Sequence, residues 1–184
     1  MEWRYWESIR KAVRLVQRFY PDYALVGRFA RNFYAPPETT LDIDFLVNLD
    51  DRITLRELID FVGSQSYEIS PTDVGHWQYK MNVKGFRVDL VKPKGFHLDE
   101  EFVFKRRLVR LRRVGRIFVS SPEDLATLYV VSSRERGVRD LIKAKDVIEY
   151  SRARNDFNED YFLSRCERNS VKPLCLELLQ HEPV

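Results

Sequence analysis

Thiols, imidazoles and long apolar runs are all scarce in this sequence, and each scarcity removes a class of chemistry. Its 184 residues hold two cysteines, two methionines and three histidines. Cys166 and Cys175 stand near the C-terminus with no metal-ligand spacing around them, so free, buried thiols are the expected state. His76, His97 and His181 are scattered and flanked by no partner pattern, which argues against a zinc centre and against a Ser-His-Asp arrangement. No stretch approaches the apolar length of a membrane span, and there are no internal repeats or low-complexity tracts. Residues 1 to 20 interleave Arg, Lys and Glu with aromatics where a secretory signal would need an apolar segment, so the expected location is cytoplasmic. Charge of one sign is scarce too: 31 basic against 28 acidic residues leave a net +3, too little alone to indicate nucleic acid. What remains is an ordinary globular composition, 44% apolar and 32% charged, on a chain long enough to bury its own core. Arginine outnumbers lysine by more than two to one, which suits phosphate contacts and also occurs as a compositional habit.

The chemistry is concentrated in residues 41 to 47, Leu-Asp-Ile-Asp-Phe-Leu-Val, an apolar β-type run with two carboxylates at alternate positions. Strand side chains change face at every residue, so Asp42 and Asp44 share one face while Leu41, Ile43 and Phe45 share the other. Aspartate is a poor strand former, and a carboxylate taken out of water costs several kcal/mol unless something compensates it. Two such groups about 7 Å apart along one strand call for a cation between them. The plain alternative is a pair of solvent-facing positions on an edge strand.

The surrounding pattern favours the cation. Residues 3 to 19 form an amphipathic helix with Trp3, Trp6, Ile9, Val13, Val16 and Phe19 inside, ended by Pro21. Tyr23 to Val26 reads as a short buried strand closing at Gly27, followed by a helical turn or two from Arg28 to Ala35 and a stop at Pro36-Pro37. The loop through Glu38, Thr39 and Thr40 then delivers the chain into the aspartate strand. A glycine after a strand lets backbone N–H groups approach an anion, and a neighbouring strand supplies carboxylates for a metal, which together describe a phosphate cradle beside a magnesium site. Residues 76 to 83 and 86 to 91 read as a hairpin turned around Lys84-Gly85, whose second arm points Asp89 away from Phe86, Val88 and Leu90. Asp89 is either an ion-pair neighbour of Arg87 or the third oxygen donor that a hard cation needs.

Gly27 through Val47, with Asp42-Ile-Asp44 and the later Val88-Asp89-Leu90, resemble the nucleotidyltransferase fold of the polymerase beta superfamily. Within it the chain is most similar to the AbiEii-like and minimal nucleotidyltransferases of bacteria and archaea, which include toxins of toxin-antitoxin systems. Ser121-Pro122-Glu123-Asp124-Leu125 resembles that family's S-P-E-D-L helix start, and Arg139-Asp140 with Asp146-Val147-Ile148 its R/K-D...D-[IV] helix. The resemblance implies Asp42, Asp44 and Asp89 as catalytic residues holding Mg²⁺ or Mn²⁺, and Gly27, Arg28, Thr40 and Asp140 as nucleotide-binding residues, with a nucleoside triphosphate as substrate. It also implies an antitoxin-like protein as a partner. Two positions depart from the family. Arg28 stands where a second small residue is usual, and could grip phosphate, fill its space or turn to solvent. A family lysine falls at Tyr129, which removes one source of charge stabilisation for a transferring phosphoryl group.

Thr54 to Gln65 reads as a covering helix with Leu55, Leu58, Ile59 and Val62 inside. Asp99 to Lys105 starts a helical turn, and Lys105 to Arg116 then packs seven basic side chains into twelve positions, either a solvated face or a groove for RNA. Arg116 to Val119 reads as the last strand, and helices are expected over 122–133, 138–151, 158–167 and 170–179. Ser121 is a natural N-cap, Asp140 could be an i, i+4 ion-pair partner of Arg136, and the tail beyond Leu179 should fray. The expected fold is α/β (α+β): a nucleotidyltransferase-like domain over 1–120 with a mixed sheet flanked by helices, and a helical C-terminal subdomain over 121–184. The expected function is transfer of a nucleoside monophosphate to RNA, protein or a small molecule. The alternative is a catalytically impaired member that binds nucleic acid or protein, and a nuclease using the same carboxylates is a third reading.

Overall fold

The computed structural model describes residues 2–65, 69–74 and 78–180, with the side chains of residues 2–4, 70 and 73–74 outside that description. His76, His181, the start of the first hairpin arm, the side chain of Trp3 and the tail therefore lie outside the described residues. Among the described residues seven strands make one mixed sheet: β1 (Ala24–Val26), β2 (Asp42–Leu46), β3 (Ile69–Val74), β4 (Gln78–Val83), β5 (Phe86–Val91), β6 (Arg107–Leu111) and β7 (Gly115–Val119), in the order β3-β4-β5-β2-β1-β7-β6. Eight helices flank it: α1 (Glu2–Phe19), α2 (Gly27–Arg31), α3 (Arg52–Ser64), α4 (Glu100–Lys105), α5 (Pro122–Arg136), α6 (Val138–Ala153), α7 (Glu159–Arg168) and α8 (Lys172–Gln180). No helix among the described residues is long and apolar enough to cross a membrane.

The sheet is centred on β2. It runs antiparallel to β1 and parallel to β5, and β1 in turn runs parallel to β7. Ile43, Phe45 and Leu46 of β2 are fully buried, as are Leu25 on one neighbour and Val88 and Leu90 on the other, and they belong to one apolar cluster that reaches from α1 to α8. The helix over residues 2–19 buries Ile9, Val13 and Val16 as its pattern requires. In α3 the Asp51 side chain accepts from Thr54 N, satisfying a terminal backbone donor. Ser121 does the same for α5, accepting from Asp124 N at 3.1 Å, with Pro122 in the first turn.

Four expectations need correction. Leu41 lies before the strand and is 82% exposed, so it does not share the buried face with Ile43 and Phe45. Two further strands exist: β3, an edge strand that contains Pro71, and β6, which lies inside the basic run. Cys166 and Cys175 are joined in a disulfide rather than free, because the chain reverses at Asn169-Ser170, with Ser170 at φ 56°, and folds α8 back on α7 so that the two Cα atoms are 6.4 Å apart. Asp140 does not pair with Arg136, since Gly137 (φ 78°) breaks the helix between them; Lys143 instead lies 2.6 Å from Asp140, one turn along α6.

Candidate active site

Two adjacent strands bring the sequence-predicted acids onto one face. Strand alternation puts Asp42 and Asp44 on one face of β2, and the parallel register with β5 sets Asp44 opposite Asp89 and Asp42 opposite Arg87. All four side chains therefore project from the same face of the sheet. Thr40, in the loop before β2, donates its hydroxyl to Asp42 Oδ1 at 2.7 Å and fixes that carboxylate. Asp89 is 4% exposed and both its oxygens are taken: Arg87 Nε lies 2.9 Å from Oδ1 and Nη2 lies 2.6 Å from Oδ2.

Asp44 is held by shape. Gly27, at φ 64°, leaves β1 so close to it that a Cβ there would fall 2.0 Å from Asp44 Oδ2. Only glycine permits both that backbone conformation and that approach. The glycine turn thus serves the carboxylate directly, and α2 behind it is just five residues long. Burial pushes the Asp44 carboxyl up to about 7, with the neighbouring charges of Asp42 and Asp89 adding to the shift and Arg136 and Arg87 opposing it. A carboxyl this reluctant to ionise beside two others marks a site built with surplus negative charge.

A cavity of about 370 Å³ opens beside these acids, between Gly27 and Asp44 on the sheet and Tyr129, Arg136 and Asp140 at the α5–α6 joint. Tyr129 and Asp140 are 7% and 2% exposed, yet the Tyr129 hydroxyl and Asp140 Oδ2 have no hydrogen-bond partner among the described residues. Burial, then the Asp44 charge, raises the Tyr129 hydroxyl far above its ordinary value, so it stays protonated and able to donate. The Lys143 ammonium lies 5.5 Å from the centre of the Tyr129 ring while bonded to Asp140. A cation is therefore present next to the position where a lysine was expected, supplied from α6.

The remaining candidates are placed elsewhere. Arg28 is turned to the loop, with Nη1 3.2 Å from the Thr39 carbonyl and Nε 3.5 Å from Glu38. Asp146 pairs with the buried Arg31 at 2.5 Å. Much of the basic run is spent on holding the β6–β7 hairpin: Arg106 bonds the Tyr23 carbonyl at 2.6 Å, Arg107 bonds Asp156 at 2.5 Å, and Lys105 lies over the Tyr161 ring. Arg110 and Arg116 face each other across that hairpin. Sequence reasoning missed Lys143 and the place of Arg136 on the cavity wall; an aspartate and a lysine at i, i+3 in a helical pattern was the available signal for the first.

The donor set of three carboxylates suits a hard divalent cation. As they stand, no group of three acidic, His or Cys side chains among the described residues closes tightly enough to hold one. Both Asp89 oxygens are held by Arg87.

No family model matches the chain, and no curated protein resembles it in sequence. Solved structures do resemble it in fold. The crystal structure of ANT(2")-Ia in complex with adenylyl-2"-tobramycin matches with a TM-score of 0.51 at 11% identity, over 88% of this chain and 95% of that one. The solution structure of the same antibiotic-resistance factor, ANT(2'')-Ia, matches with a TM-score of 0.50 at 12% identity, over 84% and 93%. This chain has the nucleotidyltransferase fold.

Proposed function

We propose that the chain is a divalent-metal-dependent nucleotidyltransferase that moves a nucleoside monophosphate from a triphosphate to an acceptor hydroxyl. One observation carries this reading: the β2–β5 register that sets Asp44 opposite Asp89, with Asp42 on the same face, beside a glycine that yields its space to Asp44. Asp42 and Asp44 would hold the ion, with Asp89 as the third ligand or as the acceptor for the attacking hydroxyl's proton. When bound, such an ion neutralises charge on the transferred phosphoryl group and on the pyrophosphate that leaves. Thr40 keeps Asp42 aimed. Arg136 on the cavity wall and Lys143 beside Tyr129 place positive charge where a polyphosphate would lie, and Asp140 Oδ2 and the Tyr129 hydroxyl offer an acceptor and a donor to the nucleoside or the acceptor substrate. The fold neighbour ANT(2'')-Ia, crystallised with adenylyl-2''-tobramycin, holds an adenylylated aminoglycoside, which agrees with transfer to a hydroxyl.

A second reading, a non-catalytic binding protein on the same fold, is favoured by the capture of both Asp89 oxygens by Arg87. Incubation with Mg²⁺, each labelled nucleoside triphosphate and pools of RNA, protein and aminoglycoside acceptors decides between the two. The enzymatic reading expects label transfer with release of pyrophosphate, lost in Asp42→Ala by a factor of at least about a thousand. Triphosphates that neither react nor raise the melting temperature in Mg²⁺, while RNA or a protein partner does raise it, would establish the binding reading.

A further inference from the structure

We propose that Arg87 is a tethered cation occupying the place of the divalent ion, so that loading the carboxylates with metal requires the guanidinium to be displaced. The inference rests on the carboxylate site described under the proposed function and adds a residue to its control. Arg87 and Asp89 are two apart on β5, on the same face, and meet in a two-pronged contact that uses both carboxylate oxygens, at 2.9 and 2.6 Å. That fork is the strongest form of the arginine–carboxylate contact. Arg87 is also the register partner of Asp42 on β2, and Asp42 and Asp44 both attract its charge alongside Asp89. One guanidinium therefore bonds one carboxylate and lies in the attractive field of two more on the same face.

The two partners differ in freedom. The Asp89 side chain is 6% exposed and the Arg87 side chain 53%. The acid is fixed in the sheet, while the base reaches it from solvent along a flexible stem and can swing away by rotations of its own side chain, with no change in the backbone. Release takes Arg87 off both Asp89 oxygens, on the face that already carries Asp42 and Asp44. An ion that binds only the released form has its affinity reduced by the fraction of molecules in that form. Arg87 thus sets a threshold: the site loads only where the ion, aided by a polyphosphate that brings further ligands, outcompetes the internal cation.

The test reads metal binding directly. Free Mn²⁺ is followed by its electron paramagnetic resonance signal during titration of the wild-type chain, Arg87→Ala, Arg87→Lys and Asp42→Ala, with melting temperatures measured in parallel. Arg87→Ala is expected to bind Mn²⁺ about tenfold more tightly than wild type and to gain more melting temperature from it, with Arg87→Lys, a point charge without the fork, in between. Arg87→Ala leaves the buried Asp89 without its cation, so folding of each variant is checked by circular dichroism, and Arg87→Lys keeps a charge beside Asp89 if the alanine variant does not fold. Equal or weaker Mn²⁺ binding in Arg87→Ala, with binding still abolished in Asp42→Ala, overturns this inference and leaves the proposed reaction standing. Mn²⁺ binding that survives Asp42→Ala, or is absent from every form, overturns both.

Discussion

At the joint between α5 and α7, Asp124 is sealed from solvent and meets three partners: Ser121 Oγ donates at 2.7 Å, the Tyr161 hydroxyl at 2.8 Å, and the guanidinium of the equally buried Arg165 lies 2.7 Å away. The same arginine reaches Asp99 at 2.7 Å and the His97 carbonyl at 2.6 Å, so it ties the C-terminal helices to the segment that leads into α4. In the cleft on β2 and β5 the accounting is different. Asp42 receives a threonine hydroxyl, Asp89 receives a solvent-exposed arginine, and Asp44 has no side-chain donor among the described residues. Both clusters are made of aspartates and arginines, and only in the first is the cation buried with its carboxylate. The difference separates a carboxylate paired with a buried cation from carboxylates in a cleft whose cation is exposed.

Breaking the first cluster should cost most. Arg165→Ala leaves Asp124 enclosed and without its cation, with a carboxyl that burial already raises to about 6, and should lower unfolding free energy by about 3–5 kcal/mol, read from urea denaturation. It should leave Mn²⁺ binding by the folded protein unchanged, since the partners of Arg165 are Asp99, His97 and Asp124 and not the cleft carboxylates.

Next in size is the glycine that serves the second cluster. Gly27→Ala combines a left-handed backbone with a Cβ directed into the Asp44 carboxylate. A loss of about 2–3 kcal/mol is expected in the same denaturation experiment. Unlike Arg165→Ala, it should also weaken Mn²⁺ binding, because Asp44 must move to make room. A Gly27→Ala protein that binds Mn²⁺ as well as wild type would show that Asp44 is not fixed by this contact.

The two clusters were unequally legible. Alternation along 41–47 and 86–91 was enough to place Asp42, Asp44 and Asp89 on one face, because register on a buried sheet is specified by its apolar side. The N-cap at Ser121 was readable for the same local reason. Arg165 was invisible: nothing in a helical run distinguishes a buried arginine from an outward one until its three partners arrive from residues 97, 99 and 124. Helix α5 gave no inside face to read because it is buried nearly all round from Pro122 to Val131. Strand β6 was hidden by Arg107 and Arg110, which flank Leu108 and Val109 and break the two-residue alternation, and β3 by Pro71, which an edge strand tolerates. The cavity at the α5–α6 joint depends on the break at Gly137, a tertiary arrangement that a residue pattern does not encode.

The smallest effect is also the one with the most informative sign. Asp44→Asn keeps the shape beside Gly27 and removes a charge that the fold disfavours. In the folded chain the Asp44 carboxyl stands at about 7 against an ordinary 3.8, so between those values the folded state binds the proton that the unfolded state has lost. Folding stability therefore falls as pH rises through that window, the reverse of a salt-bridged aspartate, and the penalty is complete above about pH 7. Each factor of ten in acidity corresponds to about 1.4 kcal/mol, and water in the open cleft together with its movable arginines trims the full amount, so Asn should stabilise the metal-free protein by about 1–2 kcal/mol at pH 8. The gain should shrink toward pH 4, where both forms are neutral. Paired denaturation curves at pH 4, 6 and 8 measure it, and a gain that does not grow with pH would mean that Asp44 is already compensated within the chain. Metal binding should reverse the ranking: with saturating Mn²⁺ at pH 8 the wild type gains stability that Asp44→Asn cannot, because a ligand that binds only the folded, ionised form repays the charge the fold was carrying.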